Sequence, residues 1–156
     1  MSSVDGRLLD NRWTQPFGET DKTELLKVYA AIGRELNTDA WMFGKNTVCA
    51  VFPEKSSKGN TPFSGTASVF MGERHSERMF IVSDPDGDIL FTSSTLRGDN
   101  ILVVLGRNVT EEYLAFLRGM RISYVVVEDA TDCTQVLKRP IVSSVSVRYR
   151  CRAEEY

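Results

Sequence analysis

Apolar positions along the chain predict helices that alternate with short strands. The stretch from Asp21 to Asn37 carries apolar residues at helical spacing, which predicts a helix with one buried face. These residues are Leu25, Val28, Tyr29, Ile32 and Leu36. Asp21 and Glu24 resemble a capping box that would begin this helix. Ala40 to Phe43 then predicts a buried strand, with Trp41 in the core, and a loop begins at Gly44.

The alternation continues in the second half of the chain. Met79 to Ser83 predicts a strand, and Asp84 to Gly87 has the composition of a tight turn. Ile89 to Phe91 is expected to pair back as a short strand. Ile101 to Leu105 is continuously apolar and is directly followed by Gly106, which predicts a strand buried on both faces in the middle of the sheet.

A helix and two further elements complete the pattern. Thr110 is expected to cap a helix that Gly119 ends. Its inward residues are Tyr113, Leu114, Phe116 and Leu117. The strand Ile122 to Val127 closes a β-α-β unit that should be right-handed. Thr131 to Lys138 predicts a short helix before Pro140, and Ile141 to Val147 predicts a last strand.

The segment from Cys49 to Glu77 has little periodicity and is rich in Ser, Gly, Lys and Pro. It predicts a long loop with room for one helical turn or one short strand. Loops of this length often act as lids over a site.

Together these elements predict a single α/β domain with a mostly parallel sheet flanked by helices. In such sheets ligands bind beyond the carboxyl ends of the strands. Gly44 to Thr47, Ser83 with Asp84, and Leu105 to Arg107 each follow a strand and could line one crevice. A glycine loop after a strand can bring backbone N–H groups close to a phosphate, so the crevice suits a dinucleotide.

Composition excludes several classes of protein. The chain has 156 residues and a formal net charge of −2, which gives no electrostatic reason to expect a nucleic-acid or membrane partner. Three cysteines and one histidine at wide spacing predict reduced thiols and no metal site. His75 lies in a polar loop and is expected on the surface, with a role as a general acid as the alternative. No transmembrane or signal segment is recognised, so a cytoplasmic protein is expected.

Four motifs are shared, in order and spacing, with a known family. They are the opening Ser3-Val4-Asp5-Gly6-Arg7 with Trp13 downstream, the run Ala40 to Gly44 with Thr47, the strand and turn Ile81 to Gly87, and the segment from Ile101 through Glu111-Glu112-Tyr113-Leu114 to Tyr124. The chain from Met1 to about Asp129 resembles the pyrimidine reductases of riboflavin biosynthesis, the C-terminal domain of bifunctional deaminase-reductases. This family belongs to the dihydrofolate-reductase-like superfamily, and the resemblance implies its three-layer fold.

The resemblance also implies a reaction and a set of contacts. The reaction is NADPH-dependent reduction of a phosphoribosylamino-pyrimidine, in which hydride reaches the sugar carbon and the ribosyl group becomes ribityl. Trp13 and Thr47 would contact NADPH, and Gly44 would allow a close backbone approach. The substrate and the nicotinamide would lie near Ser3, Asn11 and the candidate catalytic residue, Asp5. Ser83 and Gly106 are further cofactor candidates because of their positions at predicted strand ends, and not because of the resemblance.

Each candidate also has a purely structural interpretation. Trp13 could be a packing residue, as most buried aromatic residues are. Asp5 with Gly6 could form only a turn. Gly44 could simply end a strand, and Thr47 could begin a helix as its N-cap.

Arginine suits a substrate phosphate, and Arg7, Arg12 and Arg34 are candidates among which the sequence does not choose.

The chain departs from the family pattern at both ends. Family members carry strand residues before the Ser-x-Asp-Gly turn, whereas this chain starts almost on it, at Met1. After the strand equivalent to Val142 to Val147, the family continues with a Glu-Gly-Gly loop that holds the cofactor diphosphate. Here residues 148–156 form an atypical tail. The hypothesis is a shortened reductase, with a tail from a shifted reading frame as one explanation.

Three functions therefore remain open. The first is the riboflavin-type reductase, and the second is a related reductase acting on another small carbonyl, imine or pterin, because a fold does not determine a substrate. The third is a non-enzymatic remnant that binds nucleotide weakly or only associates with a partner. Missing outer strands would leave an open sheet edge, which predicts a homodimer or aggregation.

Overall fold

A computed structural model describes residues 22–35, 39–54, 59–65 and 68–130. The chain divides into two compact units, Met1–Thr38 and Asp39–Tyr156. The described part of the first unit is one helix, α1 (Lys22–Glu35). This confirms the helix expected between Asp21 and Asn37, whereas Asp21 and its capping box lie outside the described residues. The expected buried face is wrong at two of its positions, because Val28 is 51% exposed and Ile32 is 44% exposed.

The second unit is built on a six-stranded sheet. Its described elements are β1 (Ala40–Gly44), α2 (Lys45–Val48), β2 (Val69–Phe70), β3 (Met79–Ser83), β4 (Thr95–Leu96), β5 (Asp99–Leu105), α3 (Glu111–Gly119) and β6 (Ser123–Val126). The strand order is β1-β3-β5-β6-β2, and β4 pairs with β5. The pairs β1–β3, β3–β5 and β5–β6 are parallel, whereas β2 and β4 pair antiparallel. The predicted α/β class with a mostly parallel sheet is confirmed.

β5 lies in the middle of the sheet because both of its faces are apolar. All its residues are buried, and alternate side chains enter two apolar clusters, with Val103 in one and Val104 in the other. The strand begins earlier than predicted, at Asp99, because its first residues have polar partners. The Asn100 amide accepts the His75 N–H at 2.7 Å and donates to the Ser76 carbonyl at 2.6 Å. Buried polar groups are tolerated where they are hydrogen-bonded in this way.

β1 is less buried than its apolar sequence predicts. Within the described part of the chain it pairs only with β3, and Ala40 to Phe43 are half-buried. Trp41, expected in the core, is half-buried and stacks on Phe43 with 6.3 Å between ring centroids. Phe43 in turn stacks on Phe80 at 4.9 Å. An apolar run therefore predicted the strand but not its position near the edge of the described sheet.

α3 forms as the sequence predicts. The Thr110 hydroxyl accepts the Tyr113 N–H at 3.3 Å and caps the first turn. Leu114 and Leu117 are buried in one apolar cluster with β5 and β6, whereas Phe116 is half-buried. The helix ends at Gly119 as expected, but the left-handed residue that follows is Arg121, with φ 57°.

The expected strand over Ile89 to Phe91 is wrong. Ile89 forms a single β-bridge, and the Leu90 N–H donates to the Glu54 carbonyl at 3.1 Å. Ile89 and Phe91 are buried, and Phe91 lies edge-on to Phe52 with ring centroids 5.3 Å apart. Alternate burial produces the same sequence pattern as a strand, because both place every second side chain in the core.

The described part of the long loop contains one short strand, β2, as predicted, and residues in this part are hydrogen-bonded to the start of α3. The Phe63 N–H donates to the Val109 carbonyl and the Glu111 N–H to the Thr61 carbonyl, both at 3.0 Å. The Thr61 hydroxyl donates to the Glu112 carboxylate at 2.7 Å, and this bond is the main reason why the pKa of Glu112 is lowered. Residues 59–63 are thus anchored to the start of α3.

Several expectations fall on residues that the structure does not describe. Thr131 to Lys138, Ile141 to Val147, Cys133 and Cys151 are among them. Cys49 is described, as a half-buried free thiol. In the described ranges, no helix has the length and apolar character needed to cross a membrane.

Gly87 and Gly98 offer a matched test of backbone and side-chain constraints. Both have positive φ, at 66° and 87°. A Cβ at Gly98 would meet nothing within 4 Å, whereas one at Gly87 would lie 2.7 Å from a Tyr113 ring carbon. Gly98→Ala should therefore lower the free energy of unfolding by about 1–2 kcal/mol, the cost of a left-handed alanine. Gly87→Ala should cost about 1 kcal/mol more through overpacking, because hydrogen bonds hold the Tyr113 ring in place.

Urea unfolding followed by circular dichroism measures both variants. Equal losses would mean that the Tyr113 ring moves aside without cost.

Candidate functional site

Three parallel strands end at one edge of the sheet. Gly44 at the end of β1 lies opposite Ser83 at the end of β3, and Ser83 lies opposite Val104 near the end of β5. The residues that follow these strands therefore lie at the same carboxyl edge, which is where ligands bind in open α/β sheets.

The turn after β3 is organised around a buried carboxylate. The Gly87 N–H donates to the Asp84 carbonyl at 3.2 Å, which closes the predicted turn. The Asp84 side chain is fully buried, and its Oδ2 accepts the N–H groups of Asp88 at 2.9 Å and Ile89 at 3.0 Å. The Tyr113 hydroxyl lies 3.3 Å from the same oxygen and donates to the Ile89 carbonyl at 2.8 Å. The Asp84 side chain thus connects the turn to Tyr113 on α3.

Lys45, the first residue of α2, faces this turn. Its ammonium nitrogen directly contacts the Asp88 carboxylate and lies 3.5 Å from Asp86 Oδ2 and 3.9 Å from Asp84 Oδ1. Burial alone would lower the pKa of Lys45, but the hydrogen bond to Asp88 and the charges of the three aspartates together raise it. We call Lys45, Asp84, Asp86 and Asp88 the acidic-turn cluster. Among the described residues, three carboxylates of this cluster face one ammonium, so these four side chains together carry an excess of negative charge.

Burial changes the proton affinity of two groups in and beside this cluster. Burial raises the pKa of Asp84, although the Ile89 N–H and the Lys45 charge oppose the rise. Burial also raises the pKa of Tyr113, so its hydroxyl keeps its proton and remains a donor. Within the described residues, Asp84 Oδ1 has no hydrogen-bond partner, and the Lys45 ammonium is the cation that faces it.

Gly44 and Thr47 are the accessible ones among the predicted cofactor residues that the structure describes. Both are exposed, and a Cβ at Gly44 would meet no atom within 4 Å. The alternative that Thr47 begins a helix as its N-cap is wrong, because Gly44 is the N-cap of α2 and Thr47 lies inside the helix. A ligand could approach the backbone at Gly44 and the side chain of Thr47.

Ser83 and Gly106 instead contact other parts of the protein. The Ser83 hydroxyl donates to the Ala130 carbonyl at 3.1 Å. The Gly106 N–H donates to the Pro85 carbonyl at 2.9 Å, and a Cβ at this glycine would lie 2.8 Å from the same oxygen. Gly106 thus allows the turn after β3 to pack closely, and the role of both residues in cofactor binding stays a prediction.

The predicted substrate side of the site falls mostly outside the described residues. Ser3, Asp5, Asn11 and Trp13 belong to that part of the chain. Arg34 lies in α1, but its side chain is not among those that the structure describes. Their roles therefore stay predictions.

Asp88 and Tyr113 are site residues that the sequence does not select, and Lys45 falls within the predicted range Gly44 to Thr47 but has no predicted role of its own. The available signal is the repetition of aspartate at Asp84, Asp86 and Asp88, of which only Asp84 is predicted to line the crevice. The contact between Lys45 and Asp88 spans 43 positions in the sequence. It depends on the pairing of β1 with β3, which no local pattern determines.

The described residues also bear on metal binding and on His75. In ranges 22–35, 39–54, 59–65 and 68–130, no group of three or more His, Cys, Asp or Glu side chains could hold a metal ion. His75 is exposed, as predicted, and its Nε2 lies 3.9 Å from the Glu73 carboxylate.

Comparisons with protein-family models, with curated proteins and with solved structures each return no match. The resemblance to the pyrimidine reductases therefore rests on the sequence motifs alone.

Proposed function

We propose that this chain is an NADPH-dependent reductase of the dihydrofolate-reductase-like superfamily that acts on a phosphoribosylamino-pyrimidine. The observation that carries the proposal is the position of Gly44 to Thr47 at the carboxyl edge of a parallel sheet. The opening motif from Ser3 to Trp13 supports the substrate assignment by resemblance to the family.

The accessible residues fit one end of a dinucleotide. The backbone at Gly44 is open to a close approach, and the exposed Thr47 hydroxyl can donate to a phosphate or ribose oxygen. Lys45 supplies a cation beside them. Nicotinamide chemistry supplies the hydride when the cofactor is bound, so the chain has to position the acceptor carbon and exclude water. Asp5 is the candidate to hold the substrate in that position.

A second candidate function is a remnant that binds nucleotide weakly and has no reductase activity. Two observations favour it. The acidic-turn cluster carries excess negative charge, which repels a diphosphate at this edge. Ser83 and Gly106 are occupied by contacts within the protein, so fewer groups remain to hold a cofactor.

Calorimetric titration of the full chain with NADPH and NADH distinguishes these functions. We expect micromolar NADPH binding that Thr47→Val weakens about tenfold, since a hydrogen bond to a charged group contributes about 1.5–3 kcal/mol. Trp13→Ala should also weaken it if that ring contacts the cofactor. Thr92→Val is the matched control, because Thr92 is exposed and does not directly follow any of the described strands. NADPH oxidation in the presence of the pyrimidine substrate completes the test of the first function.

The outcomes separate the candidates. Binding with oxidation of NADPH supports the pyrimidine reductase, and oxidation only with another carbonyl, imine or pterin supports the related reductase. Binding without turnover supports the remnant. A folded chain that binds neither dinucleotide contradicts both reductases and leaves the remnant that only associates with a partner.

A further inference from the structure

Lys45 directly follows Gly44 and therefore lies beside the proposed nucleotide contacts, yet its ammonium is already engaged. This ammonium contacts Asp88 and lies within 3.9 Å of two further aspartates. The Lys45 side chain is 23% exposed, so solvent and a ligand can reach it. A phosphate at Gly44 or Thr47 would thus meet a lysine whose charge is shared among carboxylates.

A cation beside this turn stabilises the buried Asp84 carboxylate. Its side chain has no exposed surface, and within the described residues its Oδ1 has no hydrogen bond. A buried carboxylate oxygen is costly without a compensating charge, and Lys45 is the cation that faces it. The turn and the ligand would therefore compete for one ammonium.

We infer that the acidic-turn cluster acts as an internal competitor for Lys45, so that binding of a phosphate-bearing ligand at this edge is an exchange of ion pairs. Lys45 leaves Asp88 and pairs with the phosphate, and Asp88 thereby sets the affinity of the site. Asp88 is a positioning residue in this scheme, because it acts through Lys45. The inference rests on the proposed nucleotide site.

A double-mutant cycle tests the exchange. The four proteins are the wild-type chain, Asp88→Asn, Lys45→Met and the double variant, each titrated with inorganic pyrophosphate and separately with NADPH at one ionic strength. Asp88→Asn should tighten binding about five- to tenfold, as expected for a coupling between two sites. Lys45→Met should weaken it. In the Lys45→Met background, Asp88→Asn should change binding less than about twofold, because no ammonium is left to release.

Two controls separate competition from simple repulsion. Glu73→Gln removes one negative charge from an exposed carboxylate that contacts Arg121, just before the amino end of β6, and should change binding less than about twofold. Asp86→Asn removes a weaker contact to Lys45, at 3.5 Å, and should tighten binding less than Asp88→Asn does. If circular dichroism shows that Asp88→Asn does not fold, Asp86→Asn is used in its place in the cycle.

The results distinguish this inference from the proposed function. An equal effect of Asp88→Asn in both backgrounds would show plain repulsion and overturn the exchange, as would weaker binding by Asp88→Asn. If Asp88 and Lys45 are coupled in pyrophosphate binding but NADPH does not bind, the exchange stands and the reductase is contradicted. If NADPH binds and the effects of Asp88→Asn and Lys45→Met simply add in the double variant, the proposed reductase stands and the exchange is overturned. If none of the four proteins binds either probe, both proposals fail.

Discussion

Replacing Asp84 with alanine is expected to lower the free energy of unfolding by about 3 kcal/mol. The substitution removes the acceptor of two backbone N–H groups, those of Asp88 and Ile89, and each buried unsatisfied donor costs about 1–3 kcal/mol. It also removes the contact between the turn and the Tyr113 hydroxyl, although that hydroxyl retains the Ile89 carbonyl. Removing a buried carboxylate gives back part of this loss. Urea unfolding followed by circular dichroism measures the change.

Two neighbouring substitutions serve as controls for this effect. Asp84→Asn keeps an oxygen that can accept the two N–H groups and should recover part of the lost stability. Asp86→Ala removes a carboxylate from the same turn, but its side chain is 47% exposed. It should change stability by less than about 0.5 kcal/mol. If Asp84→Ala proves as stable as the wild-type chain, these hydrogen bonds do not hold the turn.

Replacing Leu117 with alanine is expected to lower the free energy of unfolding by about 2–5 kcal/mol. Leu117 is fully buried on α3 and packs in the apolar cluster that includes Leu105 and Tyr124. The loss combines the transfer free energy of the removed carbon atoms with the cost of a cavity against a strand that is itself fully buried. Urea unfolding is again the measurement.

The neighbouring position provides the comparison. Arg118→Ala alters an exposed side chain on the same helix and should change stability by less than about 0.5 kcal/mol. Leu117→Met preserves most of the volume and should cost less than about 1.5 kcal/mol. A loss for Leu117→Ala no larger than that for Arg118→Ala would contradict the packing of α3 against the sheet.

Local patterns predicted most elements of the described sheet and α3. The continuous apolar run from Ile101 to Leu105 is found in a strand buried on both faces, because only a central parallel strand buries every side chain. Thr110 caps α3 as predicted, since a cap depends on residues only three positions apart. The strand expected at Ile89 to Phe91 was wrong because its partner, Glu54, lies in a distant loop.

The candidate site was predictable only in part. That Gly44 and Ser83 would end parallel strands at one edge followed from the alternation of helices and strands. That Ser83 would bond to Ala130, and that Gly106 would pack against Pro85, did not follow, because both contacts depend on how the turns fold over the edge. Sequence spacing indicates which residues follow a strand, but not which of their atoms other turns cover.

The sequence by itself determined the α/β class, the bounds of β3 and the cap of α3, since these depend on periodicity and on neighbours within one turn. Only the tertiary structure decided that Lys45 would meet Asp84, Asp86 and Asp88. The physical reason is that β1 pairs in parallel with β3, which brings residues about forty positions apart to one edge. Electrostatic contacts of this kind depend on distance in space, and distance along the chain does not specify it.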